Sequence, residues 1–233
     1  MKPHITIAIL NWNGKELLKR CLKSVSEIDY PFFTITVIDN GSTDGSLGFI
    51  KDYYPQINLI TLDKNYGYAE GYNRYFKQLD LNISGFLLLL NNDTYVDPNI
   101  LNSFDAARKK LGNNNIYGAK IFFQNKPEII WYAGGRVNLR WAKIRHRGIR
   151  KYDSERYSKP CLTDYVTGCC LFTSNQTIKT LNGFDNNFNM YAEDVDLCLR
   201  AKTLGINCYY WPEAKLWHQI SASIGGTFSI RKF

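Results

Sequence analysis

Along the first half of the chain, short apolar runs take turns with longer stretches whose apolar residues recur every three or four positions. Residues 5–10 (ITIAIL) form one such run, ending in Asn11-Trp12-Asn13-Gly14. Residues 15–28 then carry Leu17, Leu18, Cys21, Leu22, Val25 and Ile28 at the spacing of a helix with one buried face. Pro31 closes that helix. Residues 34–38 (TITVI) predict a β-branched strand that runs into the turn-rich DNGSTDG and a short helix. A third strand is expected over 57–62. After the loop Asn65-Tyr66-Gly67-Tyr68, a helix is expected to about Leu79. A fourth strand at 86–90 and a helix over 98–111 complete the series.

The fourth strand organises the rest. Phe86 to Leu90 are apolar without interruption and then break into Asn91-Asn92-Asp93. Such a run is buried on both faces, as in the middle of a parallel sheet. Four strand–helix alternations predict an α/β fold with a doubly wound, mostly parallel sheet, and such sheets bind ligands at the carboxyl ends of their strands. Asp93 stands at such an end. There a carboxylate can hold Mg²⁺ or Mn²⁺ against a diphosphate, or the Asn-Asn-Asp run is a polar turn and cap before Pro98.

Beyond about residue 115 the rhythm changes. Strands are expected over 116–123, 129–132 and 166–173 and a helix over 193–204, without the regular alternation. No repeat or linker interrupts the chain. The reading is one domain over residues 1–233, with a nucleotide-type half (1–115) and a mixed half (116–233).

Composition narrows the function classes. A chain of 233 residues, 45% hydrophobic and 15% aromatic, can bury a full core. A formal charge of +8 points to an anionic partner. Six cysteines without C-x-x-C spacing and three histidines argue against a zinc site or a disulfide framework. No apolar stretch reaches the ~20 residues of a transmembrane helix, and no leader pattern opens the chain. A cytoplasmic protein is expected, in peripheral contact with the inner face of the plasma membrane at most.

Several side chains invite chemistry. Asp39 ends the second strand, where its carboxylate can accept the N3–H of a uracil or thymine ring, or close an Asx turn; Asp44 suits the structural role better. Gly67 and Gly71 allow close approach of a nucleotide to the backbone, or serve turns. Glu193 and Asp194 open a helix, where the dipole favours carboxylates. Asp196 and Arg200 form an i,i+4 pair that needs only a structural reason. The late histidine His218 suits a metal ligand near a carboxylate and depends on Asp93 for that role.

Taken in order, ITIAILNWNG, VIDNGSTDGS, NYGYAEGYN, LLLLNNDTYVD, TGCCLF, LNGFDNNFNMYAEDVDLCLRAKTLG and WHQISAS resemble the motifs of family 2 glycosyltransferases, most closely the rhamnosyltransferase-like branch. The resemblance spans nearly the whole chain. It implies a GT-A fold, a nucleotide-sugar donor, a divalent cation (Mg²⁺ or Mn²⁺) and inversion at the anomeric carbon. The donor contacts it implies are Asn11, Asp39 (to the base), Asn65 and Gly67 (bordering the nucleoside), Asn92 and Asp93. The family's Asp-x-Asp metal motif falls on Asn91-Asn92-Asp93, leaving Asp93 as the anionic ligand with His218 completing the shell. The Glu-Asp motif falls on Glu193 and Asp194, with Asp194 as general base. Glu70-Gly71-Tyr72-Asn73 stands where the branch often has Gly-Gly-Asn-Asn, and relatives usually continue past the point that matches Phe233, so an acceptor- or membrane-facing segment is expected beyond it.

The expected function is therefore transfer of a sugar, first rhamnose from dTDP-rhamnose with UDP- and GDP-linked sugars open, to a saccharide or lipid-pyrophosphate-linked acceptor in surface polysaccharide assembly. The basic stretch of residues 140–151 (RWAKIRHRGIRK, Arg140 to Lys151) is either a solvated loop or a grip on a lipid pyrophosphate or anionic membrane. A sugar nucleotidyltransferase would need a Gly-rich activating loop with Arg or Lys, which residues 5–14 lack. Nucleic-acid binding would not explain carboxylates gathered at strand and helix ends. A catalytically silent nucleotide-binding relative is the remaining alternative.

Overall fold

The computed structural model describes residues 2–188 and 192–219. The predicted alternation is present: β1 (Ile5–Asn11), α1 (Lys15–Ser26), β2 (Phe33–Asp39), α2 (Ser46–Tyr53), β3 (Asn58–Thr61), α3 (Gly67–Phe76) and β4 (Phe86–Asn91). A short β5 (Thr94–Val96) precedes α4 (Ile100–Leu111). Helix α1 buries Leu18, Cys21, Leu22 and Val25, the stripe its spacing predicts. It ends two residues early, because the Glu27 and Ile28 amides bond to Ser24 and Val25 in a tightened last turn.

Strands β3, β2, β1 and β4 lie side by side in that order and run parallel. Phe86 to Leu90 are all buried, each contributing roughly 1.5–3 kcal/mol by leaving water. One neighbour of β4 is parallel β1; the other is antiparallel β12 (Cys170–Ser174). Stacked Phe86, Phe172 and Phe104, with ring centroids 5.3 and 4.8 Å apart, fix α4 against these two strands.

The second half contributes β6 (Ile116–Phe123), β7 (Lys126–Tyr132), β8 (Gly135–Asn138), β9 (Lys143–His146), β10 (Lys151–Tyr152), β11 (Cys161–Leu162), the helices α5 (Asn175–Leu181) and α6 (Glu193–Thr203), and β13 (Cys208–His218). The sheet continues β4-β12-β6-β7-β10, while among the described residues β8 and β9 pair only with each other. The strand expected over 166–173 is shifted: it begins at Cys170, because the Thr167 carbonyl accepts the Cys170 amide in a turn.

Strand β13 went unpredicted. It holds Pro212 and two charged residues, which mask the strand pattern. The structure accommodates Pro212 in an irregularity between Trp211 and Lys215, where a missing N–H costs no ladder bond. β13 pairs with β6 and, at its far end, with β5, setting His218 opposite Thr94.

Candidate active site

The parallel register places Asn11 directly beside Asp39 at the carboxyl edge of β1 and β2. Both are buried. The Asn11 amide donates to Asp39 Oδ1 (3.2 Å) and accepts from the Asn92 amide (2.7 Å), so β2, β1 and the turn after β4 are joined by one hydrogen-bond chain. The Ser42 amide donates to Asp39 Oδ2 (2.9 Å). Each Asp39 oxygen thus has one donor from the chain and retains acceptor capacity for another.

Asp44 is structural, as expected: it accepts from the Lys15 and Ser46 amides and ties the start of α1 to α2. Asn65 accepts from the Asn40 side chain (2.9 Å) and the Gly67 amide (2.8 Å). Gly67 has φ +76°, a left-handed conformation that glycine adopts without strain. Gly71 serves packing: a Cβ there would lie 2.9 Å from Leu10, so its bareness lets α3 approach β1. Glu70 is engaged by Arg74 (3.0 Å) and the Asn186 amide (2.7 Å).

Asp93 and His218 come together. The Gln219 amide donates to the Asp93 carbonyl (2.8 Å), closing the β5–β13 ladder, and His218 Nε2 lies 3.1 Å from Asp93 Oδ1. Both side chains are buried, the Trp131 ring sits edge-on to the imidazole at 4.6 Å, and His218 Nδ1 has no hydrogen-bond partner among the described residues. A carboxylate suits Mg²⁺ or Mn²⁺ and an imidazole can complete the shell. No group of three or more His, Cys, Asp or Glu gathers among the described residues. The pair therefore fits a cation whose other positions are filled by water and ligand oxygens, the usual habit of ions carried on nucleotide phosphates.

Glu193 and Asp194 open α6, after Ala192 in a left-handed conformation (φ +72°). Asp194 accepts from the Gly168 amide (2.8 Å) and the Val195 amide (2.8 Å). Burial raises its pKa, and those amide bonds act against the rise. Glu193 is only 8% exposed and its Oε2 has no hydrogen-bond partner among the described residues. Burial, with the neighbouring Asp194 charge, pushes Glu193 up to about 7. Burial raises the pKa of the Cys169 thiol, and the nearby charges of Asp93 and Asp194 raise it further. The structural reading of Asp196 holds: Arg200 pairs with it at 2.8 Å and donates to the Leu181 and Gly183 carbonyls.

Two residues escaped the sequence reading. Tyr68 donates to the Gly168 carbonyl (2.7 Å), linking the start of α3 to the turn that holds Asp194. Trp131 packs between His218 and His146, at 4.6 and 4.4 Å. Tyr68 falls inside the NYGYAEGYN run, whose spacing carried the only signal for it; nothing in the sequence marks Trp131. Met190 and Tyr191 of MYAEDVDLCLR, and WHQISAS from Ile220 onward, lie outside the described residues.

The family model described as Glycosyl transferase family 2 matches residues 6–177. Among curated proteins, the chain is 26% identical to N-acetylglucosaminyl-diphospho-decaprenol L-rhamnosyltransferase of Mycobacterium tuberculosis, over 97% of this chain and 79% of that protein. It is 26% identical to the O-antigen biosynthesis protein RfbC of Myxococcus xanthus, over 95% of this chain but 18% of that longer protein. Among solved structures, GalNAc-T7 with UDP, GalNAc and Mn²⁺ superposes with a TM-score of 0.75 at 15% identity, covering 93% of this chain and 44% of its own. The mannosyltransferase PcManGT of Pyrobaculum calidifontis, in complex with GDP-Man and Mn²⁺, gives 0.66 at 15% identity, covering 95% of this chain and 58% of its own. These likenesses establish the GT-A fold. The chain belongs to glycosyl transferase family 2, with rhamnosyltransferases among its relatives.

Proposed function

We propose that this chain transfers a sugar, with inversion, from a nucleotide-sugar donor to a lipid-pyrophosphate-linked or saccharide acceptor in cell-surface polysaccharide synthesis. The chain is read as one transfer module, residues 1–115 serving the donor and 116–233 the acceptor. The observation that carries the reading is the Asp93–His218 contact at the edge where β1, β2 and β4 end. It is supported by relatives named as a rhamnosyltransferase and an O-antigen biosynthesis protein. Rhamnose from dTDP-rhamnose is the first donor to test.

In this reading Asp39 takes the N3–H of a pyrimidine base, and Asn11 holds its carboxylate in place through the 3.2 Å contact. Asn65 and Gly67 shape the nucleoside pocket. Asp93 and His218 would hold Mg²⁺ or Mn²⁺ and Asn92 would contact the donor. The bound ion would supply positive charge against the leaving diphosphate. Asp194 accepts the proton of an acceptor hydroxyl while that oxygen forms its bond to C1. The C1–O bond to the diphosphate breaks on the opposite face, its electron pair leaving with the phosphate, and one displacement inverts the centre. Burial increases the basicity of the Asp194 carboxylate, as a base working near neutral pH requires.

A second assignment has its own observation. Glu193 carries a carboxylate oxygen with no hydrogen-bond partner among the described residues and the pKa near 7, so Glu193 is the rival base.

The test is a thermal-shift panel of UDP, dTDP, GDP and CDP with and without Mn²⁺, followed by transfer with the sugar forms of whichever nucleotide binds. A ligand that binds only the folded state raises the melting point in step with its concentration over Kd. A metal-dependent shift followed by transfer supports the proposal. A shift without transfer to any acceptor leaves the catalytically silent relative, and no shift from any nucleotide rejects the donor site.

A further inference from the structure

The basic stretch of residues 140–151 divides into two parts with different work. Arg147 is built into the fold: it donates to the Ala133 and Arg156 carbonyls (3.0 and 2.7 Å) and lies over the Tyr157 and Tyr210 rings. The β8–β9 hairpin is different. Every residue from Arg136 to Arg145 except Val137 is exposed, and the two strands pair with no third among the described residues.

Its register sorts the side chains by face. Arg136 stands directly opposite Arg145, and Asn138 opposite Lys143. Opposed residues share a face, as do residues two apart along a strand. One face is thus Arg136, Arg145 and Lys143 together, and among the described residues none of them makes an ion pair. Like charges placed directly opposite oppose pairing, and a lone two-stranded hairpin has little stability to spare. An anionic surface laid on this face removes that penalty. No Asp or Glu stands between Glu128 and Asp153 to do so from within the segment.

The tip adds a second, apolar component. A single turn over residues 139–141 holds Leu139 at 74% and Trp141 at 64% exposure, with Ile144 at 46% close behind. The Arg140 guanidinium lies 5.5 Å from the Trp141 ring centre. Exposed Leu and Trp set in a ring of Arg and Lys suit a lipid interface, where indole sits at headgroup depth and cations meet anionic phosphate. A soluble polyanion would use the cations and leave Leu139 and Trp141 in water.

We propose that the β8–β9 hairpin docks on the surface of an anionic phospholipid bilayer, inserting Leu139 and Trp141 and laying Arg136, Arg140, Lys143 and Arg145 on the headgroups. This deepens the reading of a lipid-linked acceptor and rests on it for its purpose. The root of the hairpin explains the location. His146 packs on Trp131, and Trp131 on His218. Docking the tip therefore brings the Asp93–His218 site to the interface where the pyrophosphate of a lipid carrier resides.

Co-sedimentation of the whole chain with phosphatidylcholine vesicles, with and without phosphatidylglycerol, tests this. Brominated lipids in a parallel series quench any tryptophan that enters the bilayer. Wild type is expected to bind only vesicles containing phosphatidylglycerol, to be released by high salt, and to be quenched. Trp141→Phe loses the quenching. Arg140→Gln/Lys143→Gln lowers the partition coefficient about 25-fold, the product of two charge contributions of roughly fivefold each. Equal binding to neutral vesicles overturns the proposal, as do variants that bind and quench like wild type, or binding to heparin that matches or exceeds binding to vesicles. The nucleotide thermal shift, run without lipid on the same variants, stays at the wild-type value. Its absence in wild type would reject the donor site while leaving the vesicle result to stand by itself.

Discussion

His218 Nε2 and Asp93 Oδ1 lie 3.1 Å apart, although one residue ends the last described strand and the other follows the fourth. The short antiparallel ladder of β5 and β13 makes the contact, and the Trp131 ring packs edge-on against the imidazole.

Removing either member should uncouple nucleotide binding from the metal. In Asp93→Asn and in His218→Ala, the extra rise in melting temperature that Mn²⁺ gives to a bound nucleoside diphosphate is expected to disappear. Transfer should fall by at least ~100-fold, since several kcal/mol of charge stabilisation is lost. A metal-dependent shift of wild-type size in both variants would take the pair out of this role.

The two carboxylates that open α6 can be told apart by paired substitutions. Asp194→Asn is expected to cut turnover by ~100-fold or more, the low end for a general base, with the nucleotide shift unchanged. Glu193→Gln should then retain turnover within ~10-fold. The reverse pattern, measured as kcat at saturating donor, would make Glu193 the base.

Glu193 also gives a pH signature in stability. Its folded pKa, about 7, lies above the ordinary value of 4.5. The folded state therefore holds the proton longer than the unfolded chain, and stability declines as pH rises from about 4.5 to 7. Glu193→Gln removes that loss. It is expected to stabilise the protein by up to about 3 kcal/mol at pH 8 and by less than about 1 kcal/mol at pH 5. Urea melts of both proteins at the two pH values measure the difference; a gain of equal size at both would refute the assignment.

Lys120 is buried and its ammonium is held by both oxygens of Asp153 at 2.8 Å. Asp153→Ala strands that charge. A loss of about 3 kcal/mol in unfolding free energy is expected, the low end for breaking a buried pair, because Asp153 itself is partly exposed. Lys120→Met/Asp153→Ala should recover most of it, as replacement by apolar residues often does. No recovery would show that Asp153 works through something other than this pair.

Much of the first half was legible because its elements are local. The stripe of α1 and the apolar run of β4 each state their burial within a dozen residues. Asp39 and Asp93 were recognisable because an apolar strand ending in a carboxylate is itself a local pattern. The second half was less legible. β13 hides behind Pro212 and its charged neighbours, and the turn over 166–169 continues the apolar pattern of the strand it precedes. Trp131 reads like any aromatic in a strand.

The sequence by itself determined the alternating elements, the family motifs and the chemical types at each strand end, since these depend on spacing and residue identity along a few turns of chain. Which of those side chains meet was decided only by the tertiary structure. Asp93 reaches His218 through β5 and β13, Asp194 is held by Gly168, and half-buried Arg147 is tied to backbone carbonyls while Arg136 and Arg145 are left facing outward. For the strands, register makes that choice: pairings far apart in sequence carry little local signal, and a shift of one residue turns every side chain to the opposite face.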